Sequence, residues 1–261
     1  MKNILLLTIV VLLSYTSFSQ QNIELKRYPA PQAKQGVVAN KKYFIVFSND
    51  SVVKYDKKTG KEVSSFYSNK LIHLNSGILR GNKLYCAHSN YPALPMWSSM
   101  EVWNIKTMKH IATHSFGIEY GSCTWIEKFK GSYYVMFAHY GTPGKMEPGK
   151  DVSWSQLVKF NKHWQKQEAW VLPQELIKKI EPFSLSGGVI TKEGKILCSP
   201  HHNKELYLLE FPAQGAELVL SKTIATSING QAIAWDTFEK DVLWGISRDT
   251  REVIKTKMVW E

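Results

Sequence analysis

GGVITKEGKILCSPHHN, residues 187–203, and NGQAIAWDTFEKDVLWGISRD, residues 229–249, decide the fold. Each opens at a glycine, runs through a β-prone stretch, turns at a polar or glycine-containing point and continues into a second apolar strand. Three further segments align with them: QGVVANKKYFIVFSND from Gln35, SGILRGNKLYCAHSN from Ser76 and YGSCTWIEKFKGSYYVMFAHY from Tyr120. Their glycines, Gly36, Gly77, Gly121, Gly188 and Gly230, are spaced by 41, 44, 67 and 42 residues. A period of about 40 residues carrying several short strands marks a β-propeller.

The long third interval is accounted for by two insertions. One is a loop over residues 140–153. The other is a short helix at Pro173, a residue suited to a first helical position, followed by Gln174-Glu175-Leu176-Ile177. Further strands follow each aligned pair, such as 51–55 and 62–67, or 101–105 and 110–116, which makes four strands per blade. The fifth unit supplies three. The β-compatible segment 22–28 is expected to be its missing outer strand, closing the ring and covering an open edge. The expected class is all-β, a five-bladed β-propeller; the alternative count is six blades, with a degenerate unit hidden in the long interval.

Residues 1–19 read as a secretory signal peptide. Met1-Lys2-Asn3 is the positive start, Ile4 to Leu13 the apolar run, and Ser17-Phe18-Ser19 puts small residues before a cut at Gln20. The apolar stretch is shorter than the roughly 20 residues that span a bilayer. A secreted or periplasmic protein of one domain, residues 20–261, with no membrane span after cleavage, is expected as a monomer. Loss of Lys2 takes the formal charge from +11 to +10. Its lysines are dispersed, with no arginine-rich helix and no nucleic-acid module, so nucleic acid is not an expected partner. Cys86, Cys123 and Cys198 show no close pairing; buried thiols are expected, with a Cys86–Cys123 bridge as the alternative.

The strand-turn-strand units quoted above resemble those of the gluconolactonase/regucalcin, streptogramin-lyase and NHL-repeat propellers. Gln35-Gly36 together with Asn229-Gly230-x-x-Ile233-Ala234-Trp235-Asp236 is similar to the plant-type glutamine cyclotransferase propellers. The first likeness implies a divalent metal ion, often calcium, held at the blade entrances, where this chain has Asn75, Glu119 and Asn229. The second implies a glutamate before the second blade glycine, where this chain has Asn75-Ser76-Gly77.

In a propeller, the loop entering each inner strand and the loop after its second strand open on one face around the central channel. Three of the five second-strand exits carry histidine: His88, His139 and the pair His201-His202. One reading makes His88, His139 and His201 ligands of a divalent metal ion, or pairs His88 or His139 with Glu119 as acid and base of a hydrolase, lactonase or lyase. The other makes each a strand-end hydrogen bond. Trp97 and Trp154 stand in matching proline-bearing loops, each followed by serine, and suit stacking on a ligand ring. Arg248 at the fifth exit suits a carboxylate or phosphate. With Asn75, His201, His202 and Asn229 these form the expected site for a small polar or glycan ligand. The alternative function is a non-catalytic lectin-like or protein-interaction propeller.

Overall fold

The computed structural model describes residues 21–260. β1 (Gln21–Pro29) comes first, and blade 1 follows as β2 (Gly36–Ala39), β3 (Tyr43–Phe47), β4 (Ser51–Asp56) and β5 (Glu62–Tyr67). Blade 2 holds β6 (His73–Arg80), β7 (Lys83–Ser89), β8 (Ser98–Asn104) and β9 (Lys109–Gly117). Blade 3 holds β10 (Ser122–Phe129), β11 (Ser132–Ala138), β12 (Gln156–Phe160) and β13 (Lys166–Val171). After helix α1 (Gln174–Ile180), blade 4 holds β14 (Leu185–Ile190), β15 (Ile196–Pro200), β16 (Glu205–Glu210) and β17 (Val219–Ala225). Blade 5 is built of β18 (Ala234–Trp235), β19 (Val242–Ser247) and β20 (Glu252–Val259), with β1 as its fourth strand. The chain is a five-bladed β-propeller. The long third interval contains no further sheet among the described residues, which removes the six-blade count. The leader read over residues 1–19 lies outside them.

Each blade is a four-stranded antiparallel sheet whose inner strands are buried on both faces, as in GVVA of β2 and LSGGVI of β14. Outer strands alternate, as in β17, because only one of their faces meets a neighbour. Apolar side chains therefore collect between blades, one cluster to each of the five junctions. Blades 1 and 2 share Phe47, Leu84 and Trp103; blades 2 and 3 share Val102, Phe137 and Phe160. Blades 3 and 4 enclose Trp125 and Tyr207, blades 4 and 5 Leu197 and Leu243, and blades 5 and 1 Trp244 and Phe44. Cys86, Cys123 and Cys198 lie in three different junctions as free buried thiols, so the Cys86–Cys123 bridge is not formed.

The ring closes where β1 pairs with β20 from Gln21↔Val259 to Pro29↔Glu252, with one bulge between Glu24 and Lys26. At this junction Lys57 Nζ, 10% exposed, reaches Asp236 at 2.7 Å and Glu239 at 2.9 Å, and the Trp244 indole N–H donates to the same Asp236 carboxylate at 2.8 Å. Helix α1 begins one residue after the expected start, with Pro173 as its N-cap, and buries Leu176, Ile177 and Ile180 in the junction of blades 3 and 4.

Serine hydroxyls fasten neighbouring blades around the channel. Ser98, wholly buried, donates to Gly121 O and accepts from the Cys123 N–H at 2.7 Å. The equivalent Ser155 of the next blade accepts from the His139 N–H at 3.0 Å and from the Ser184 hydroxyl at 3.0 Å. Ser199 donates to Gln231 O across the following junction. Ser98→Ala leaves a buried N–H and a buried carbonyl without that partner. Its unfolding free energy, measured by urea denaturation, is expected to fall by about 1–3 kcal/mol with the m-value unchanged.

Candidate functional site

The face that opens on the blade entrances and second-strand exits carries a mouth built by four blades. Blade 2 contributes His73 at the start of β6 and Tyr91 from the loop after β7. The two rings lie 5.0 Å apart, and Tyr91 is 4.7 Å from Tyr140 of blade 3. Lys145, in the long loop of blade 3, places its Nζ 5.5 Å from the Tyr91 ring. Phe183, in the segment between α1 and β14, stacks on His201 at 4.1 Å and 9°. Arg248, at the exit of β19, brings Nη1 to 3.4 Å from His201 Nε2. Met96, Ala138 and Tyr140 form a small apolar floor against which Tyr91 and Phe183 pack.

Two sources of electrostatic cost set the protonation of this mouth. Burial lowers the His201 pKa, and His202, Arg248, His73 and Lys145 add positive charge around it, so it falls to about 3. Burial, Arg248 and His88 bring His73 down to about 4. Both imidazoles are neutral near pH 7, and Arg248 and Lys145 carry the permanent charge. Arg248 is half-buried and has no carboxylate within 4.0 Å among the described residues; the neighbouring Asp249 is held by the Asn229 side chain at 2.8 Å. His201 Nδ1 is buried without a hydrogen-bond partner. The mouth is therefore a cluster of aromatic rings around one guanidinium that has no carboxylate within 4.0 Å among the described residues.

The exit histidines do not converge. The Ile72 N–H donates to His88 Nε2 at 3.1 Å, which puts the proton on Nδ1, 3.0 Å from the Ser99 hydroxyl. His139 lies over Gly121, whose φ is +98° and whose missing Cβ would stand 2.7 Å from His139 Nε2. Only glycine admits both that backbone and that approach. His139 Nδ1 is 3.5 Å from Glu147 Oε2 but without an aligned hydrogen bond. Among the described residues no three His, Cys, Asp or Glu side chains group as metal ligands, so the expected imidazole set is not assembled. Glu119 stands exposed in the turn before β10, beside the Tyr120 hydroxyl, and forms no hydrogen bond or ion pair with His88 or His139. The expected acid–base pair is likewise not brought together.

The remaining expected residues separate in the same way. Asn75 is buried and donates to Cys123 O at 3.0 Å, tying two inner strands. His202 is exposed at the rim, edge-on to His201 at 4.2 Å. Trp97 packs edge-on to His88 at 5.4 Å and lines a groove between blades 1 and 2. Trp154 is 54% exposed on a 3-10 turn, Val152–Trp154, and does not line that groove, so the two tryptophans do not flank a common ligand. The serines that follow them carry the shared function of the motif, as blade latches.

No protein-family model and no curated protein matches the sequence. A solved luciferin-regenerating enzyme superposes on the chain with a TM-score of 0.58 at 9% identity, over 92% of this chain and 95% of that one. The hydrazine synthase of Kuenenia stuttgartiensis matches with a TM-score of 0.50 at 9% identity, over 86% of this chain and 71% of that one. These likenesses carry the propeller architecture.

Sequence reasoning placed Tyr140 at the third exit but passed over Lys145 and Phe183, which owe their places to the insertions in the long third interval. It also passed over Glu101, an acid in the apolar run Met100-Glu101-Val102-Trp103. The signal was there, since alternation puts Ser99 and Glu101 on one face of β8. Burial pushes the Glu101 pKa up, but nearby His88, 3.6 Å away, and hydrogen bonds from Ser99, Thr113 and His110 outweigh it and hold the carboxyl at about 2.

The neutral histidines make stability depend on pH in a definite sense. In the unfolded chain His73 and His201 take up protons near pH 6.5, but in the fold only near 4 and 3. The unfolded state binds more protons between these limits, so stability falls as pH drops below about 6.5, by up to about 1.4 kcal/mol per pH unit for each histidine. Urea denaturation at stepped pH is expected to show this slope, and His201→Gln to flatten it.

Proposed function

We propose that the mature, exported chain is a binding propeller for a small organic anion, a carboxylate or phosphate, held at the channel mouth by Arg248. The observation that carries this reading is the unpaired, half-buried guanidinium beside His201 Nε2. Arginine presents paired N–H donors that match a carboxylate or phosphate in a bidentate fashion, and such bonds strengthen away from bulk water. Lys145 supplies a second positive charge, while Tyr91, Tyr140 and Phe183 offer rings against which the apolar part of the ligand can lie.

Binding is favoured over turnover because neither His73 nor His201 has a carboxylate within ion-pair distance among the described residues to complete an acid–base pair. The neutral imidazoles contribute a linkage instead. An anion bound between Arg248 and His201 raises the histidine pKa, so the complex takes up protons more readily than the free protein and affinity rises as pH falls.

Isothermal titration with gluconate and with inorganic phosphate tests the proposal. Saturable binding is expected, tighter at pH 5 than at pH 7. Arg248→Gln is expected to weaken it by roughly 10- to 100-fold, the worth of a charge-assisted hydrogen-bond pair. Unchanged affinity in that variant, or no binding of either anion to the folded protein, would sink the proposal.

A further inference from the structure

A groove of about 330 Å³ opens between blades 1 and 2, away from the channel mouth. Phe66 of β5 and Trp97 form aromatic parts of its walls, and Ser99, Glu101, His110 and Thr113 of β8 and β9 line its polar side. At its base the ionised Glu101, 7% exposed, accepts from the Ser99 hydroxyl at 2.6 Å through Oε1. Through Oε2 it accepts from the Thr113 hydroxyl at 2.6 Å and from His110 Nε2 at 2.7 Å. No lysine or arginine pairs with this carboxylate among the described residues.

These bonds dictate what the groove can offer a ligand. The Thr113 hydroxyl hydrogen and the His110 Nε2–H are both committed to Glu101. Toward a ligand, Thr113 Oγ1 is left as an acceptor, and His110, 32% exposed, presents its Nδ1, which has no protein partner among the described residues. Ser68 and Ser115 are in the opposite state. Each accepts a backbone N–H, from Lys70 at 3.2 Å and from Gly117 at 3.1 Å, which leaves its hydroxyl hydrogen free to donate. A groove that presents both acceptors and donors, with aromatic rings in its walls, selects groups that donate and accept at once. Hydroxyls on a carbon ring do so. An ammonium ligand only donates, and Lys70 on the lining repels it.

We propose that this groove is a second binding site, taking a pyranose unit of a glycan, with Trp97 against the face of the ring, Thr113 Oγ1 accepting from one hydroxyl and His110 Nδ1 within hydrogen-bond reach of another. The site is independent of the anion site at the channel mouth.

NMR titration of the full chain with methyl glucopyranoside, methyl galactopyranoside and, separately, choline tests the proposal. Saturable shifts at the Trp97 indole and the Thr113 amide are expected with at least one pyranoside. Thr113→Val, at an exposed position, is expected to weaken that binding by roughly 2- to 10-fold with the spectrum otherwise retained. Trp97→Ala is expected to abolish it, and Arg248→Gln to leave it unchanged. Choline binding in place of the pyranosides overturns the proposal, as do pyranoside shifts confined to the Arg248 mouth or no saturable response from a folded sample. Loss of gluconate and phosphate binding alone bears only on the channel mouth.

Discussion

The pairing of β1 with β20 is the contact on which the other features depend. It joins residues more than 220 positions apart and makes Gln21–Pro29 the outer strand of a blade whose other three strands end the chain. Without it β20 would present an open edge, and the two ends of a five-unit chain would have no reason to meet. With it the five inter-blade cores are complete, because the junction of blades 5 and 1 contains Tyr28 from β1 itself, packed 4.9 Å from Phe44. Lys57, Asp236 and Trp244 reinforce the same junction. A half-buried lysine there is stabilised because two carboxylates and a backbone carbonyl share its charge.

Closure of the ring brings exits that are far apart in sequence to one mouth. His73, Tyr140, His201 and Arg248 come from four blades and meet where the local dielectric is low. Two consequences follow from the same burial. Imidazoles are held neutral, because charging them beside Arg248 and Lys145 is costly. The guanidinium stays charged, since its intrinsic pKa lies too high for burial to neutralise it. A guanidinium with no carboxylate within 4.0 Å among the described residues is the physical basis of the proposed anion binding.

Similar residues at the exits turned out to have unequal places and roles. His88 lies inside β7 opposite Ser99, whereas His139 and His201 follow the ends of β11 and β15; one accepts from the Ile72 N–H, one lies over Gly121 and one stacks on Phe183. A repeat specifies where a Cα sits in its blade. Where the side chain goes is settled by the neighbouring blade and by inserted loops, which differ from unit to unit. The Trp-Ser pairs show the converse. Trp97 and Trp154 diverge, one into a groove and one to the surface, whereas Ser98 and Ser155 are both buried and both reach toward the next blade, Ser98 through Gly121 O and the Cys123 N–H and Ser155 through the Ser184 hydroxyl.

The blade count, four-strand units, closing segment and short helix after Pro173 were legible in the chain, since they rest on glycine spacing, alternation and turn chemistry that act within about 40 residues. Arg248 was likewise legible as an exit residue. The neutrality of His73 and His201, the dispersal of the exit histidines, the isolation of Glu119 from them and the Glu101 network were not. Each depends on which groups of another blade lie within about 4 Å and on how far water is excluded. Those quantities come into being only when the ring closes and sequence-distant side chains share one low-dielectric space.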